Sequence, residues 1–448
     1  MSSPDGIKQR GYWGSGLGFV LAVVGSAIGL GNIWRFPTEA GQSGGGAFVL
    51  VYIIATFLIG VPVMMAELAV GRRTQRNPVG AYRSLAPGSG WGLAGGFAVF
   101  TGLIILSYYS VVAGWTLKYT WIAFSGSLHG ATPEAISATF NNFIQDPGPV
   151  LGCHLLFMLI TIRIVMGGIQ HGIERAAKIL MPVLFVLLLL LVVRSLTLPG
   201  AAEGLSFYLK PDFGMLDVKV ILKAVSHAFF SLSLGMGAII TFGSYLSPKQ
   251  NLVSSAVWVS CADFLIAFLA GLAIFPAIFS VPGLEPDAGP GLIFVVLPNI
   301  FNAIPLGHLF GAAFFILLAI AALTSAISML EVVVAFTIDE LGWNRRRSAI
   351  AVGSVIFLLG IPSALGNGAV PLFAGTLDFV NEYFGGMGLV LGALLVSLFV
   401  GWKWGTGNAV EELERGRGTF RLGQVWGFLI RFVCPLAILT ILFQLLRG

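Results

Sequence analysis

The sequence predicts an all-α polytopic membrane protein, and its composition and its apolar patterning lead to this fold class. Hydrophobic residues make up 56% of the chain and charged residues only 10%, whereas roughly 25% of the residues in an average soluble domain are charged. The apolar residues are gathered into long runs, and about 20 such residues span a bilayer as a helix. The mean hydropathy of +0.91 agrees with this assignment and excludes a water-soluble globular class.

Eleven apolar segments are predicted to cross the membrane. If the amino terminus is cytoplasmic, most Lys and Arg residues lie on the cytoplasmic side, as the positive-inside rule requires. An odd number of spans then places the carboxyl terminus outside, so we expect a multi-pass protein of the cell membrane. The predicted spans are 14–36, 47–70, 92–124, 150–167, 173–197, 219–246, 252–281, 306–341, 346–364, 371–402 and 423–445.

The lipid bilayer is the expected environment of the chain, and nucleic acid is not an expected partner. The formal net charge is +5 and the pI is about 9.2. The positive residues that produce this charge lie in loops at the ends of spans, where they orient the protein.

The first and sixth spans each carry a glycine-rich, polar interruption. Residues 25–37 read Gly-Ser-Ala-Ile-Gly-Leu-Gly-Asn-Ile-Trp-Arg-Phe-Pro, and residues 229–237 read Phe-Phe-Ser-Leu-Ser-Leu-Gly-Met-Gly. Unwound backbone at membrane depth is tolerated only where it is buried in protein or lines a cavity. Paired broken helices are typical of transporters built from inverted repeats. We therefore expect one transporter domain over 1–448, with repeats at 14–197 and 219–402 and an additional helix at 423–445.

These motifs resemble the signature of the neurotransmitter:sodium symporter family, whose members have the LeuT fold. Segments 44–48 (Gly-Gly-Gly-Ala-Phe), 107–109 (Ser-Tyr-Tyr) and 323–325 (Leu-Thr-Ser) also match, in the expected order. The resemblance covers the whole chain. It implies a 5+5 inverted repeat with broken helices 1 and 6 plus an eleventh helix. It also implies sodium-coupled symport by alternating access.

The family resemblance implies two sodium sites, and hard cations prefer oxygen ligands. The first site would combine the substrate carboxylate with Ala27, Asn32, Ser231 and Asp263. The second site would be built from Gly25, Ile28, Ala321, Thr324 and Ser325.

Asp263 lies in an apolar run, where a charge costs about 2.5–3.5 kcal/mol on insertion scales and indicates function by default. Family members commonly have asparagine here, and chloride-dependent relatives pair it with a serine one turn later, where this chain has Ala267. The resemblance therefore implies that the carboxylate replaces chloride, so no chloride requirement is expected. Because a carboxylate can also titrate, a proton-coupled amino-acid carrier of the same fold is the alternative.

Gly29 bears on the substrate class, because relatives that carry monoamines have an aspartate at the matching position. With glycine, the substrate is expected to bring its own carboxylate, facing freed N–H groups at the positive end of a half-helix. Flexible methionines in an apolar pocket favour a hydrophobic L-amino acid, aliphatic or aromatic. The substrate residues that the resemblance implies are Ser26, Ala27, Leu30, Gly31, Ile105, Tyr109, Phe230, Ser231, Ser233, Met236, Ser325 and Met329.

Charged and aromatic residues on either side of this pocket are expected to act as gates. The outer gate would pair Arg35 with Asp378, and the Phe230 ring would be a lid between them and the substrate. The inner gate would use Arg10, Trp13 and Asp339.

Glu67, deep in the second span, is expected to cap the free N–H groups at the break in the sixth. The five histidines and three cysteines are scattered without the spacing of metal ligands. No paired nucleophile and base stands out, so we do not expect an enzyme, and no repeated filter indicates a channel.

Overall fold

The computed structural model describes residues 11–281, 291–416 and 418–445, and this part of the chain is almost entirely helical. Nine helices in the described residues are long and apolar enough to cross a membrane, and a pair bent by 50° at a short break, Gly16–Ala27 and Gly31–Gln42, adds a tenth. The pair Val218–Ser231 and Ala238–Gly243 accounts for the remaining predicted span. The all-α fold class with broken first and sixth helices is confirmed.

We label the spans α1 to α11 in chain order. They are α1 (Gly16–Ala27 and Gly31–Gln42), α2 (Gly46–Thr74), α3 (Gly92–Ser125), α4 (Pro147–Met166), α5 (Ile169–Leu196), α6 (Val218–Ser231 and Ala238–Gly243), α7 (Leu252–Ile278), α8 (Gly307–Leu341), α9 (Arg345–Leu365), α10 (Pro371–Glu414) and α11 (Gly423–Leu445). Shorter helices in the connections include Pro78–Leu85, Pro133–Gln145, Ala201–Leu209 and Leu297–Ala303.

Local chemistry sets both ends of α1. The Ser15 hydroxyl accepts the N–H of Gly18 at 3.0 Å, an N-cap contact that satisfies one of the free donors of the first turn. At the other end the helix continues past residue 36, the predicted limit, to Gln42. Pro37 does not stop it, because it lies in the first turn of the segment Phe36–Gln42, where a missing N–H is tolerated.

The breaks of α1 and α6 lie inside the bundle. The long helices α3 and α8 pack along each other, and α8 also contacts α1 and α6. By contrast, only 33% of the most apolar part of α5 and 28% of that of α11 is buried, and exposed side chains such as Val186 and Leu436 suit contact with lipid. We predicted that 14–197 and 219–402 are inverted repeats and that 423–445 is an additional helix. This division of the chain stays a prediction.

Candidate functional site

The break in α1 covers residues 28–30. Ile28 ends the inner half with a ψ of 105°, which turns the chain out of the helix. The N–H of Gly29 then donates to the Asn32 side chain at 3.1 Å, and the N–H of Leu30 donates to the Tyr109 hydroxyl at 3.1 Å. The carbonyls of Gly25 and Ser26 therefore lose their helical N–H partners, and that of Ser26 accepts instead from Ser233 Oγ at 2.8 Å and from Ser325 Oγ at 3.0 Å.

The break in α6 covers residues 232–237. Ser233, Gly235 and Gly237 all have positive φ values, of 55°, 83° and 77°. A Cβ at position 235 would collide with the carbonyl of Leu389, so glycine is required there. The buried Glu67 carboxylate accepts the N–H of Gly235 at 2.8 Å, which is the capping contact expected from the sequence.

The side chains predicted for the first sodium site form one buried cluster around Asp263. One carboxylate oxygen accepts from Asn32 Nδ2 at 2.7 Å and from Ser231 Oγ at 2.8 Å. The other accepts from the Tyr52 hydroxyl at 2.9 Å. A buried charge is tolerated when it is hydrogen-bonded or paired, and three donors of this kind surround the Asp263 carboxylate. Ala27 lies in the wall of the cavity described below.

Tyr52 was not predicted from the sequence. It lies on α2, fully buried, and its hydroxyl is also 3.1 Å from Ser231 Oγ. A tyrosine among aliphatic residues is common in protein cores, so one sequence gives no signal that would single it out.

The residues predicted for the second sodium site gather where α8 passes the α1 break. Thr324 Oγ1 lies 3.0 Å from the carbonyl oxygen of Ala321 and 3.5 Å from that of Ile28. Ser325 Oγ lies 3.5 Å from the carbonyl oxygen of Gly25 and 3.3 Å from that of Ile28. The hydroxyl groups of Thr324 and Ser325 thus lie near carbonyl oxygens of Gly25, Ile28 and Ala321, and Ser325 Oγ donates most closely to the carbonyl of Ser26, at 3.0 Å. Neutral oxygens of this kind suit a hard cation.

Between these clusters lies a small cavity. All the predicted substrate residues line this cavity except Leu30 and Ser231. Leu30 contacts Tyr109 and Ser231 contacts Asp263, as described above. Gly29 and Leu389 also line it, and Leu389 was missed because nothing marks it out from the other leucines of α10. The lining residues are Ser26, Ala27, Gly29, Gly31, Ile105, Tyr109, Phe230, Ser233, Met236, Ser325, Met329 and Leu389.

Gly29 has no room for a side chain. A Cβ built there would lie 2.6 Å from Ser325 Oγ and 2.8 Å from the Tyr109 hydroxyl oxygen. Both distances are shorter than ordinary contacts. The glycine therefore lets two hydroxyl groups approach the backbone of the break.

The predicted outer ion pair between Arg35 and Asp378 is not formed. Among the described residues Arg35 pairs with Glu39, one turn along the same helix, with Nε 2.6 Å from Oε1, while Asp378 is exposed. Glu39 is the partner because it lies four residues from Arg35 on the same helix, a spacing that places its carboxylate beside the guanidinium. The guanidinium carbon also lies 4.7 Å from the centre of the Phe230 ring, as expected of a lid. That Arg35, Phe230 and Asp378 act as a gate stays a prediction.

On the inner side, two of the three predicted gate residues make hydrogen bonds to neighbouring segments. Trp13 Nε1 donates to the carbonyl of Phe242 at 3.0 Å, which ties the start of α1 to the end of α6. Asp339 accepts from the backbone N–H of Asn77 at 2.8 Å. Arg10 lies outside the described residues, so the predicted inner gate also stays a prediction.

Comparison with known proteins places the chain among sodium-dependent transporters. The model of the sodium:neurotransmitter symporter family matches residues 10–139 and 135–447. An uncharacterized sodium-dependent transporter of Bacillus subtilis, YhdH, is 43% identical over 441 residues, which cover 97% of each chain. The human sodium- and chloride-dependent GABA transporter 2 is 29% identical over 99% of this chain and 81% of its own.

A solved structure has the same fold. The crystal structure of MhsT in complex with L-phenylalanine matches 97% of this chain and 100% of its own, with a TM-score of 0.90 and 47% identity. This match confirms the LeuT fold and shows that the chain is similar to MhsT. The protein is therefore a multi-pass membrane protein built for sodium-coupled symport, and the chain belongs to the sodium:neurotransmitter symporter family.

Proposed function

We propose that the protein carries hydrophobic L-amino acids, both aliphatic and aromatic, into the cell by alternating access. The observation that supports this most directly is the lining of the cavity, in which Ile105, Phe230, Met236 and Met329 supply apolar surface. No Asp, Glu, Lys or Arg is among the described residues that line it.

The polar end of the cavity suits the carboxylate of an amino acid. The Leu30 N–H and the Tyr109 hydroxyl meet at the start of the outer half-helix Gly31–Gln42, and a helix N-terminus favours an anion. A sodium ion held by Asn32 and Asp263 would touch the same carboxylate. The relative MhsT was solved with L-phenylalanine, which supports an amino acid as the substrate of this chain.

We further propose two sodium ions for each substrate. The first ion would lie between the substrate carboxylate and the Asp263 cluster. The second would be held by carbonyl and hydroxyl oxygens between α1 and α8, centred on Thr324 and Ser325. The orientation that goes with this proposal has a cytoplasmic amino terminus and an extracellular carboxyl terminus, in the cell membrane. No enzymatic activity is part of the proposal.

The experiment that tests the proposal is uptake of radiolabelled L-phenylalanine by proteoliposomes. Uptake should require external sodium and stop when choline replaces it. Unlabelled leucine and tryptophan should compete, whereas lysine and glutamate should not. A proton gradient that drives uptake without sodium would instead support a proton-coupled carrier, and strong competition by lysine or glutamate would overturn the hydrophobic substrate class.

We expect decarboxylated analogues to bind far more weakly than the parent amino acids. Tryptamine lacks the carboxylate that the Tyr109 hydroxyl and the first sodium ion would contact. Removing one partner of a buried charged set costs about 2–5 kcal/mol, or roughly thirtyfold and more. Competition of tryptamine and tryptophan against labelled phenylalanine measures this directly. Equal competition by the two compounds would show that the carboxylate is not recognised.

We also expect uptake to be independent of chloride. The Asp263 carboxylate already supplies a fixed negative charge beside the first sodium site, and Ala267 lacks a hydroxyl to hold a chloride ion. Replacing chloride by gluconate at constant sodium should leave the initial uptake rate unchanged. A large fall in the rate would contradict the idea that the carboxylate does the work of chloride.

A further inference from the structure

Arg431 is a charged residue on the lipid-facing side of α11, and the transport site described above makes no use of it. It is exposed, and its exposed neighbours on the same helix, Phe428, Phe432 and Leu436, are apolar. It lies eight residues beyond Gly423, where α11 begins, which is about 12 Å along the helix axis. Since a charge in contact with hydrocarbon is costly and needs a partner, the position of Arg431 requires an explanation.

The Arg431 guanidinium is held against the surface between α10 and α11 by aromatic rings. Its carbon lies 4.4 Å from the centre of the Trp402 ring and 5.5 Å from the centre of the Phe432 ring, distances at which a cation is attracted to the face of a ring. Trp402 Nε1 also donates to the backbone carbonyl of Arg431 at 3.1 Å, which fixes the indole beside α11. Because the guanidinium lies over a ring, the N–H donors at its edge can bind an anion.

The described part of the protein supplies no counter-ion for this charge. No described carboxylate forms an ion pair with Arg431 or with Lys403, the exposed residue that follows Trp402. The Arg431 guanidinium makes no hydrogen bond to a described residue. Glu411 and Glu412, further along α10, are already paired with other arginines at 3.2 and 2.7 Å. Because the surface around Arg431 faces lipid, the bilayer is the source of anions within its reach.

We propose that Arg431, Trp402 and Lys403 form a binding site for the phosphate of an anionic phospholipid, which we call the headgroup site. A guanidinium binds phosphate oxygens through two parallel N–H bonds, and an ammonium adds the attraction of a point charge. Two positive charges without an acidic partner favour a lipid of net negative charge over a zwitterionic one. Tryptophan is enriched at the level of the headgroups, and the exposed Phe428 and Leu436 side chains offer apolar surface to acyl chains. The leaflet is the one at which α11 begins, which is cytoplasmic in the proposed orientation.

The headgroup site is tested by the thermal stability of the purified full-length protein in micelles of a neutral detergent, at constant sodium and without amino acid. Dioleoylphosphatidylglycerol is added at increasing mole fraction, and dioleoylphosphatidylcholine and inorganic phosphate are titrated separately. Phosphatidylglycerol should stabilise the wild type at the lowest mole fraction, and inorganic phosphate should have no effect because the site lies in a lipid-facing surface. Arg431→Gln should raise the half-saturating mole fraction of phosphatidylglycerol about tenfold, since it removes charge-assisted hydrogen bonds.

Three further variants separate the parts of the headgroup site. Arg431→Lys keeps the charge but loses the planar fork, so its half-saturating mole fraction should lie between those of the wild type and Arg431→Gln. Trp402→Leu removes the ring under the guanidinium and should weaken binding about threefold. Arg347→Gln is the matched control, because the Arg347 guanidinium carbon also lies 4.4 Å from the centre of a tryptophan ring, that of Trp343, but in the first turn of α9. It should bind phosphatidylglycerol like the wild type.

Equal shifts in Arg431→Gln and Arg347→Gln would show general attraction between a basic protein and an anionic lipid, and would overturn the headgroup site. Equal stabilisation of the wild type by phosphatidylglycerol and phosphatidylcholine, or stabilisation by inorganic phosphate, would overturn the choice of an anionic lipid. If Trp402→Leu does not fold, the two Arg431 variants decide, and unshifted mole fractions in both refute the site. None of these measurements involves transport, so the outcome is independent of the proposed substrate and sodium sites.

Discussion

Replacing Gly29 by aspartate should abolish uptake of L-phenylalanine. The new Cβ would press against Ser325 Oγ and the Tyr109 hydroxyl, at 2.6 and 2.8 Å. The new carboxylate would also occupy the place proposed for the substrate carboxylate, and opposing like charges costs several kcal/mol, or at least about a hundredfold in affinity. Binding of labelled phenylalanine to purified protein, followed by uptake in proteoliposomes, measures the loss.

Two further substitutions separate the causes of this loss. Gly29→Ala introduces the crowding without the charge, so it should weaken binding less than the aspartate does. Gly90→Asp introduces the same charge in a loop where a Cβ meets no atom within 4 Å, and it should bind phenylalanine like the wild type. Undiminished uptake by Gly29→Asp would show that the substrate carboxylate lies elsewhere.

The second large effect is expected from Asp263→Asn. The change removes the negative charge that Asn32, Ser231 and Tyr52 surround, and neutralising one partner of a buried charged set costs about 2–5 kcal/mol. The half-saturating sodium concentration for uptake should therefore rise by roughly thirtyfold or more. The measurement is phenylalanine uptake against sodium concentration, in chloride and in gluconate.

Chloride should partly rescue a double variant that combines Asp263→Asn with Ala267→Ser, since the anion would restore the missing charge. Asp212→Asn is a suitable control, because the exposed Asp212 carboxylate accepts the N–H of Gly214 at 2.9 Å and an asparagine side chain can do the same. An unchanged sodium dependence in Asp263→Asn would exclude the carboxylate from the sodium site.

The spans could be predicted from the sequence because their signal is local: a long apolar run must cross the bilayer wherever it lies. The ligand set could not be derived in that way. Thr324 and Ser325 look like ordinary helix hydroxyls, and only the order of motifs across the chain singles them out. Tyr52 and Asp263 meet across 211 positions, a pairing that no local pattern indicates.

The ion-pair partner of Arg35, by contrast, could have been predicted from the local sequence. Glu39 lies four positions away on the same helix, a spacing that by itself favours an ion pair. The family resemblance pointed instead to Asp378, more than 300 positions along the chain. The family pattern was therefore followed although the local helical spacing indicates Glu39, and the ion pair in the structure is the local one.

The contact between Glu67 and Gly235 has a consequence for the range of substrates. It fixes the backbone of the α6 break, so the wall that carries Met236 cannot widen by moving its main chain. Adaptation is left to the unbranched side chains of Met236 and Met329, which change shape at almost constant volume. Under the proposed function, such a cavity would select amino acids by the bulk of their side chains and accept differences in branching or ring shape.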